Sequence, residues 1–384
     1  MTFIRTIAIF FLASISVQAQ EKLDAASRQP EAFVHPGLLH TKDDLDRMRQ
    51  RVKAGEEPWK SGFEMLRRDG QSRADWKLRG PFEIVTRETG NAPGNSQMVL
   101  DGNAAYQNAL MWSLTGDERY ARKAVEILNA WSSTLRKMDG RDVILSAGLN
   151  GFKFVNAAEL MRHTYPAWKR EDAARCERMF REVVLPPIKD FATFANGNWD
   201  GACIDTIMAI GVFCDDRELF DRAIAYYRGG KGNGRLTNYV FDESGQCQES
   251  GRDQQHSQLG LGLLAQSCEI AWHQGVDLYG EAINRLLKGF EYAAQYNLGH
   301  DVPFVPHTDI TGKYRHKKIS DEGRGRLRPI YEMVWNHYGV RRGIPAPFTK
   351  QAAEKVRPEG AAWTGDHPGF GTLLFTLPAN STPP

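Results

Sequence analysis

The sequence predicts an all-α fold, an α/α barrel of helical hairpins followed by a loop-rich C-terminal part. Three look-alike segments carry that expectation. Gly116-Asp117 leads to Tyr120, Ala124, Val125 and Leu128; Asp215-Asp216 leads to Leu219, Ala223, Ile224 and Tyr227; Gly275-Val276-Asp277 leads to Leu278, Ala282, Ile283 and Leu286. Each follows a strongly apolar stretch, at residues 104–114, 202–213 and 259–272. An apolar inner helix, a short Gly/Asp turn and an amphipathic outer helix make a hairpin that cannot bury its apolar face alone. Repeats of such a unit stack, and here they close into a barrel, complete or incomplete. Strand signals are sparse before residue 300, and the tail beyond it is richer in Pro, Gly and charge.

The N-terminus reads as a secretory leader. Arg5 precedes an apolar run at 7–17, and Val17-Gln18-Ala19 sets small residues at positions −3 and −1 of a cleavage point after Ala19. That run is too short for a membrane span, and no later stretch approaches the roughly 20 apolar residues one needs. The expected product is residues 20–384 as a single domain, periplasmic or secreted and away from the membrane. A net charge of +2 offers no footing for nucleic acid or a membrane surface. Five cysteines (Cys176, Cys203, Cys214, Cys247 and Cys268) are too few for a disulfide scaffold and read as small buried hydrophobes.

Helical signals start at Thr41, where Thr41-Lys42-Asp43-Asp44 resembles a capping box and Leu45, Met48 and Val52 mark one face. A second short helix is expected over 58–68. Residues 69–102, rich in Gly, Pro, Asn and Arg, read as a long loop walling a cleft.

Chemistry concentrates in three places. The densest is Gln248-Glu249-Ser250-Gly251-Arg252-Asp253-Gln254-Gln255-His256, which runs straight into the apolar stretch at 259. Helical spacing would project Arg252, Gln255 and His256 together, with Glu249 one turn below. The bland reading is a polar cluster tying helices together; the density of unlike groups favours a cleft. The second is Asn196-Gly197-Asn198-Trp199-Asp200, opening the inner helix at 202–213. Asn and Asp there are ordinary N-caps, yet amide donors beside an indole also suit a carboxylate and a sugar face. The third is 307–328. Lys313, Arg315, Lys317, Lys318, Arg324, Arg326 and Arg328 outnumber Asp321 and Glu322 there, with Tyr314 among them beside His316. Such a run is either solvated or a dock for an acidic polymer. Cations flanking Tyr314 would stabilise its phenolate, as a base for carbon acids requires. The glycine-rich 229–234 lacks a phosphate-loop ending and reads as a flexible connection. His35 and His40 flank a Pro-Gly turn without a partner cluster, and no zinc spacing appears, so no metal or cofactor is expected.

Phe33-Val34-His35-Pro36-Gly37-Leu38-Leu39-His40 with Trp59, the Asn198-Trp199 pair and Gly251-Arg252-Asp253-Gln254-Gln255-His256 together resemble the alginate-lyase-like superfamily of polysaccharide lyases, closest to polysaccharide lyase family 38, which cleaves alginate or β-1,4-glucuronan. The resemblance runs from about residue 33 to 340. It implies an (α/α) toroid and metal-independent β-elimination at a uronate of an acidic polysaccharide, using Asn, His, Tyr and Arg. By that likeness Asn198 and His256 take the family's Asn and His roles and neutralise the uronate carboxylate; the residues around them add Tyr314 as the expected base and acid and Arg252 as orienting or substrate-binding. Glu249 and Asp253 stand behind Arg252 and His256. Trp199, Gln255, Glu249, Lys317, Lys318 and Arg324 are the expected substrate-binding residues. The first site departs from the Asn-Asn-His of alginate lyases elsewhere in the superfamily, which moves the histidine role to His256. Tyr292 and Tyr296 compete with Tyr314, and His256 is itself a candidate base for the other epimer. The rival readings are a glycoside hydrolase using Glu249, Asp253 or Asp200 as paired carboxylates, and a glycan-binding protein without turnover.

Overall fold

Thr41 caps the first helix, α1 (Lys42–Ala54), through a reciprocal box. Its side chain accepts from the Asp44 N–H, and the Asp44 carboxylate accepts from the Thr41 N–H. Gly55, at φ 72°, ends the helix in the left-handed region that favours glycine. The computed structural model describes residues 32–88, 94–362 and 365–378; the expected leader lies outside them. After α2 (Trp59–Arg68) come the helical hairpins. They pair α3 (Asn95–Thr115) with α4 (Glu118–Thr134), α5 (Val143–Thr164) with α6 (Arg170–Met179), α7 (Gly197–Phe213) with α8 (Arg217–Gly229), and α9 (Gln254–His273) with α10 (Glu281–Asn297).

The inner helices stand side by side, α3 on α5, α5 on α7 and α7 on α9, while α4, α8 and α10 lie against α3, α7 and α9. Their sequences follow from that placement. In α4 only a stripe (Ala121, Ala124, Ile127, Leu128, Trp131) is buried, whereas in α5 every residue from Leu145 to Met161 is. The α5–α6 hairpin is the one the sequence pattern did not single out, because its turn is Tyr165-Pro166-Ala167-Trp168 and its inner helix has no polar face. The C-terminal part completes the ring. Helix α11 (Tyr331–Trp335) packs on α10 and on the short turn Gly371–Leu374, which packs on α2; α12 (Pro347–Val356) covers α10. The Gly365 carbonyl reaches inward to the buried Lys153 ammonium at 2.7 Å, and His367 meets Gln266 at 3.1 Å. No described helix is long and apolar enough to cross a membrane. All five cysteines are free and buried.

The expected 69–102 loop is shorter, because α3 begins at Asn95, and it is fastened rather than loose. Strand β1 (Ile84–Thr86) pairs in parallel with β2 (Lys137–Asp139). The fully buried Asp101 carboxylate accepts from the indole N–H groups of Trp76 and Trp131 and from the Arg79 and Gly80 N–H groups. Removing one carboxylate strands four donors at once. Asp101→Ala is expected to cost about 3 kcal/mol, read by urea unfolding followed through tryptophan fluorescence; a midpoint within error of wild type would contradict that pinning role.

Candidate active site

The site forms at the rim where α7 and α9 begin. Asp253 is the N-cap of α9; its carboxylate accepts from the His256 N–H at 2.7 Å and lies 2.6 Å from His256 Nδ1. The helix therefore starts at Gln254, later than the sequence pattern implied, because a capping aspartate ends the preceding turn. Glu249 and Arg252 sit in that turn, not on the helical face of His256.

Glu249 is the hub. It is fully buried, and its carboxylate accepts from Arg252 (2.7 Å), from both the side chain and backbone of Asn198 (2.8 and 3.2 Å) and from the Tyr239 hydroxyl (3.3 Å). The Asn198 side chain is thus 1% exposed with its amide donors turned to Glu249. That geometry corrects the expectation of Asn198 as a donor facing the substrate: in this arrangement it positions Glu249.

The second arm of Arg252 lies 3.1 Å from His256 Nε2. Arginine is always a donor, so Nε2 must accept, and Nδ1, facing Asp253, must carry the ring proton. His256 is accordingly the neutral Nδ1–H tautomer here. Burial works to raise the Asp253 carboxyl, but the hydrogen bonds from the His256 ring and backbone outweigh it and hold the group below the usual range.

Tyr314 reaches this cluster from a hairpin of β3 (His307–Thr308) and β4 (Arg315–His316). Asp309 organises the hairpin turn, accepting from the Tyr314 and Thr311 N–H groups and from the Asn233 amide at 2.7 Å. Asn233 belongs to the glycine-rich stretch, which is no flexible connection: Gly232, Asn233 and Gly234 are buried, and a Cβ on Gly234 would sit 2.3 Å from Asp200 Cβ. Tyr314 has Arg252 and Glu249 as electrostatic neighbours and the Asn196 backbone within hydrogen-bonding reach. Burial pushes its phenol up, Asp309 and Glu249 add to that, and the main opposing pulls come from Arg252 and the Asn196 backbone. The phenol is raised rather than lowered, so the cations around it do not outweigh its burial.

His316 is the residue that sequence reasoning left without a role. A Cβ on Gly251 would lie 2.3 Å from His316 Cβ, so hairpin and turn are in close contact. Its Nε2 is buried without a hydrogen-bond partner, and burial lowers the imidazole's affinity for a proton beside Glu249 and Arg252. Its place beside Tyr314 in sequence was the available signal.

Trp199 is half-buried on Leu145, Leu149, Ala202, Leu259 and Leu263, with the exposed Phe194 edge-on at 6.3 Å. Lys317 and Lys318 are exposed. Two other expected binding residues are spent on structure. Gln255 donates to the Gly323 and Arg326 carbonyls, and Arg324 donates to the Tyr296 and His300 carbonyls with its guanidinium 3.9 Å over the Tyr296 ring. Arg328 is buried against Asp366, so the basic surface is smaller than the run of letters suggests.

The carboxylates needed for hydrolysis are poorly placed. Asp200 is buried and accepts from the Ala192 and Gly234 N–H groups and the Tyr226 hydroxyl; Glu249 is buried under Arg252; Asp253 is held by His256. What remains partly exposed is tyrosine, histidine and arginine on a helical toroid, the equipment of a polysaccharide lyase, and that is the class to which this enzyme belongs. The chain is a member of the alginate lyase family, whose model matches residues 16–302.

Solved structures agree on the fold. Alginate lyase A1-III from Sphingomonas species A1 superposes with a TM-score of 0.60 at 16% identity, over 87% of this chain and 95% of that one. An alginate lyase from Bacteroides ovatus gives 0.58 at 14% identity, over 90% and 97%. An A1-III variant complexed with a tetrasaccharide gives 0.56 at 16% identity, over 87% and 94%. No curated protein matches the chain.

Proposed function

We propose that the chain cleaves a 1,4-linked polyuronate, mannuronate-rich alginate or β-1,4-glucuronan, by β-elimination, leaving 4,5-unsaturated uronate ends. The observation that carries this reading is the Asp253–His256–Arg252 chain beside Tyr314, with Glu249 fixing Arg252 from below. A uronate C5 proton is barely acidic while its carboxylate is ionised. The carboxylate docks against Arg252 and His256; its negative charge lets Nε2 take a proton, and Asp253 supports the imidazolium through Nδ1. Arg252 and His256 then hold the dianionic intermediate as it forms. Tyr314, as phenolate, takes the C5 proton and returns one to the glycosidic oxygen on C4. One group serves both steps because in mannuronate and glucuronate the two atoms lie on the same face of the ring.

The family and the tetrasaccharide-binding neighbour support an acidic polysaccharide as partner. Trp199 and Phe194 offer it an aromatic wall. The same reading takes residues 1–19 as a cleaved leader and 20–384 as one catalytic domain working in the periplasm or outside the cell. Digestion of a polyuronate panel followed in the ultraviolet tests the reaction. Unsaturated products support it, and saturated reducing ends would return the hydrolase.

In this reading the exposed Lys317 and Lys318 hold distal uronates. Changing both to Gln is expected to raise KM and flatten its salt dependence with kcat nearly unchanged. Loss of kcat at constant KM would move them to the chemistry.

A further inference from the structure

We propose that the chain holds a divalent cation of the zinc class at a second site, at the end of the barrel opposite the cleft. His35, which the sequence shows without partners, acquires them from the fold. Its Nδ1 lies 2.7 Å from Glu159 Oε1, and His163 Nε2 lies 3.6 Å from Glu159 Oε2. One ligand atom from each of the three residues falls within 4.8 Å of the others. A tetrahedral zinc ion with ligands about 2.1 Å away spaces its donors about 3.4 Å apart, so small side-chain rotations suffice to seat it.

Two further observations point to a cation. Glu159 is 1% exposed, and its Oε2 has no hydrogen-bond partner. A buried carboxylate oxygen left so is costly unless something positive reaches it. His35 also has carboxylates on both ring nitrogens, since Asp215 Oδ1 lies 3.2 Å from Nε2. A doubly protonated imidazolium can donate to both carboxylates; a zinc ion would take the place of the proton on Nδ1, with Nε2–H still donated to Asp215. The carboxylate–histidine–metal order that results is the common way of fixing a ligand's tautomer. His163 stacks on His35 with ring centres 4.5 Å apart, which brings both imidazoles to the same side of Glu159.

The site is separate from the catalytic cleft. Glu159 and His163 lie one turn apart at the C-terminal end of α5, and Asp215 follows the C-terminal end of α7. The candidate active site lies at the other end of α7, about 25 Å away by helical rise. An ion here would staple the segment that carries His35, just before α1, to two inner helices, coupling metal binding to stability rather than to turnover. His35 and His163, with side chains 16% and 27% exposed, leave a route of entry and a fourth position for water.

The test titrates chelator-stripped full-length protein with zinc chloride by calorimetry and repeats the titration with cobalt chloride, reading the visible absorption of a tetrahedral ion. One zinc per chain, a melting temperature that rises with zinc, and loss of both in His163→Ala and Glu159→Gln are expected. The uronate-cleaving kcat of the zinc-free variants should stay at the wild-type level. His35→Gln, checked by circular dichroism, covers the case in which one of those variants fails to fold. A folded wild type that binds no zinc overturns the site and leaves His35–Glu159 a proton-bridged pair. Binding that survives in all the folded variants overturns it equally.

Discussion

His256→Ala is expected to lower kcat about a hundredfold or more while leaving the fold intact, the size of loss seen when a key electrostatic donor is removed. The ring is 38% exposed, so its removal opens no core cavity. The Asp253 cap on α9 survives, because it uses the backbone N–H of residue 256 as well as the ring. What disappears is the group between Asp253 and Arg252 that takes a proton when the uronate carboxylate arrives. His256→Asn sharpens the test: it keeps a donor toward Asp253 but cannot ionise, and is expected to be as slow as Ala. Turnover is read as the initial rate of unsaturated-end formation on the best polymer of the panel. Near-wild-type turnover in a folded Ala variant would remove His256 from the mechanism.

The parts of this molecule that were legible in its sequence are those in which chemistry and chain order coincide. Hairpins α3–α4, α7–α8 and α9–α10 announce themselves because each outer helix is solvated on one side and each turn uses Gly or Asp. The α5–α6 pair escapes because α5 is buried all round, and its polar residues, Asn150, Lys153, Asn156 and Glu159, reach Asn95, Gly365, Phe152 and His35 inside the fold rather than marking a surface. The grouping of Glu249, Arg252, Asp253 and His256 was equally legible, and the structure brings all four into one bonded chain. Helical periodicity grouped Arg252 with His256, as the structure does, but misplaced Gln255, which turns to the Gly323 and Arg326 carbonyls. Counting cations around 313–328 could not separate Lys317 and Lys318, which face solvent, from Arg324 and Arg328, which are bound to carbonyls and Asp366. The link that aims Tyr314 was out of reach altogether, because Asn233 and Asp309 meet across 76 residues. The same holds for His35 and Glu159, which are 124 residues apart.

Tyr314→Phe is the most consequential substitution, because it removes one hydroxyl and nothing else. The Asp309-centred hairpin turn and the pairing of β3 with β4 do not depend on that oxygen, whose backbone neighbour is Asn196. Substrate binding is therefore expected to stay normal while kcat falls by a factor on the order of 10² to 10⁴, the range for loss of a positioned proton carrier. The pH profile provides a second signature. Burial raises the phenol above its ordinary range and Arg252 only partly opposes it, so the phenolate fraction in the free enzyme grows as pH rises. Wild-type kcat/KM should climb on the alkaline side with it, and the residual activity of the Phe variant should lack that limb. The competing tyrosines are committed elsewhere: the Tyr292 hydroxyl donates to the Pro303 carbonyl at 2.7 Å, and Tyr296 is 5% exposed beneath the Arg324 guanidinium. Their Phe variants are expected to keep turnover within a fewfold of wild type. A dead Tyr296→Phe or Tyr292→Phe beside an active Tyr314→Phe would show that the hairpin is misassigned as the catalytic element. Elimination at a uronate, read from the products, would survive that result.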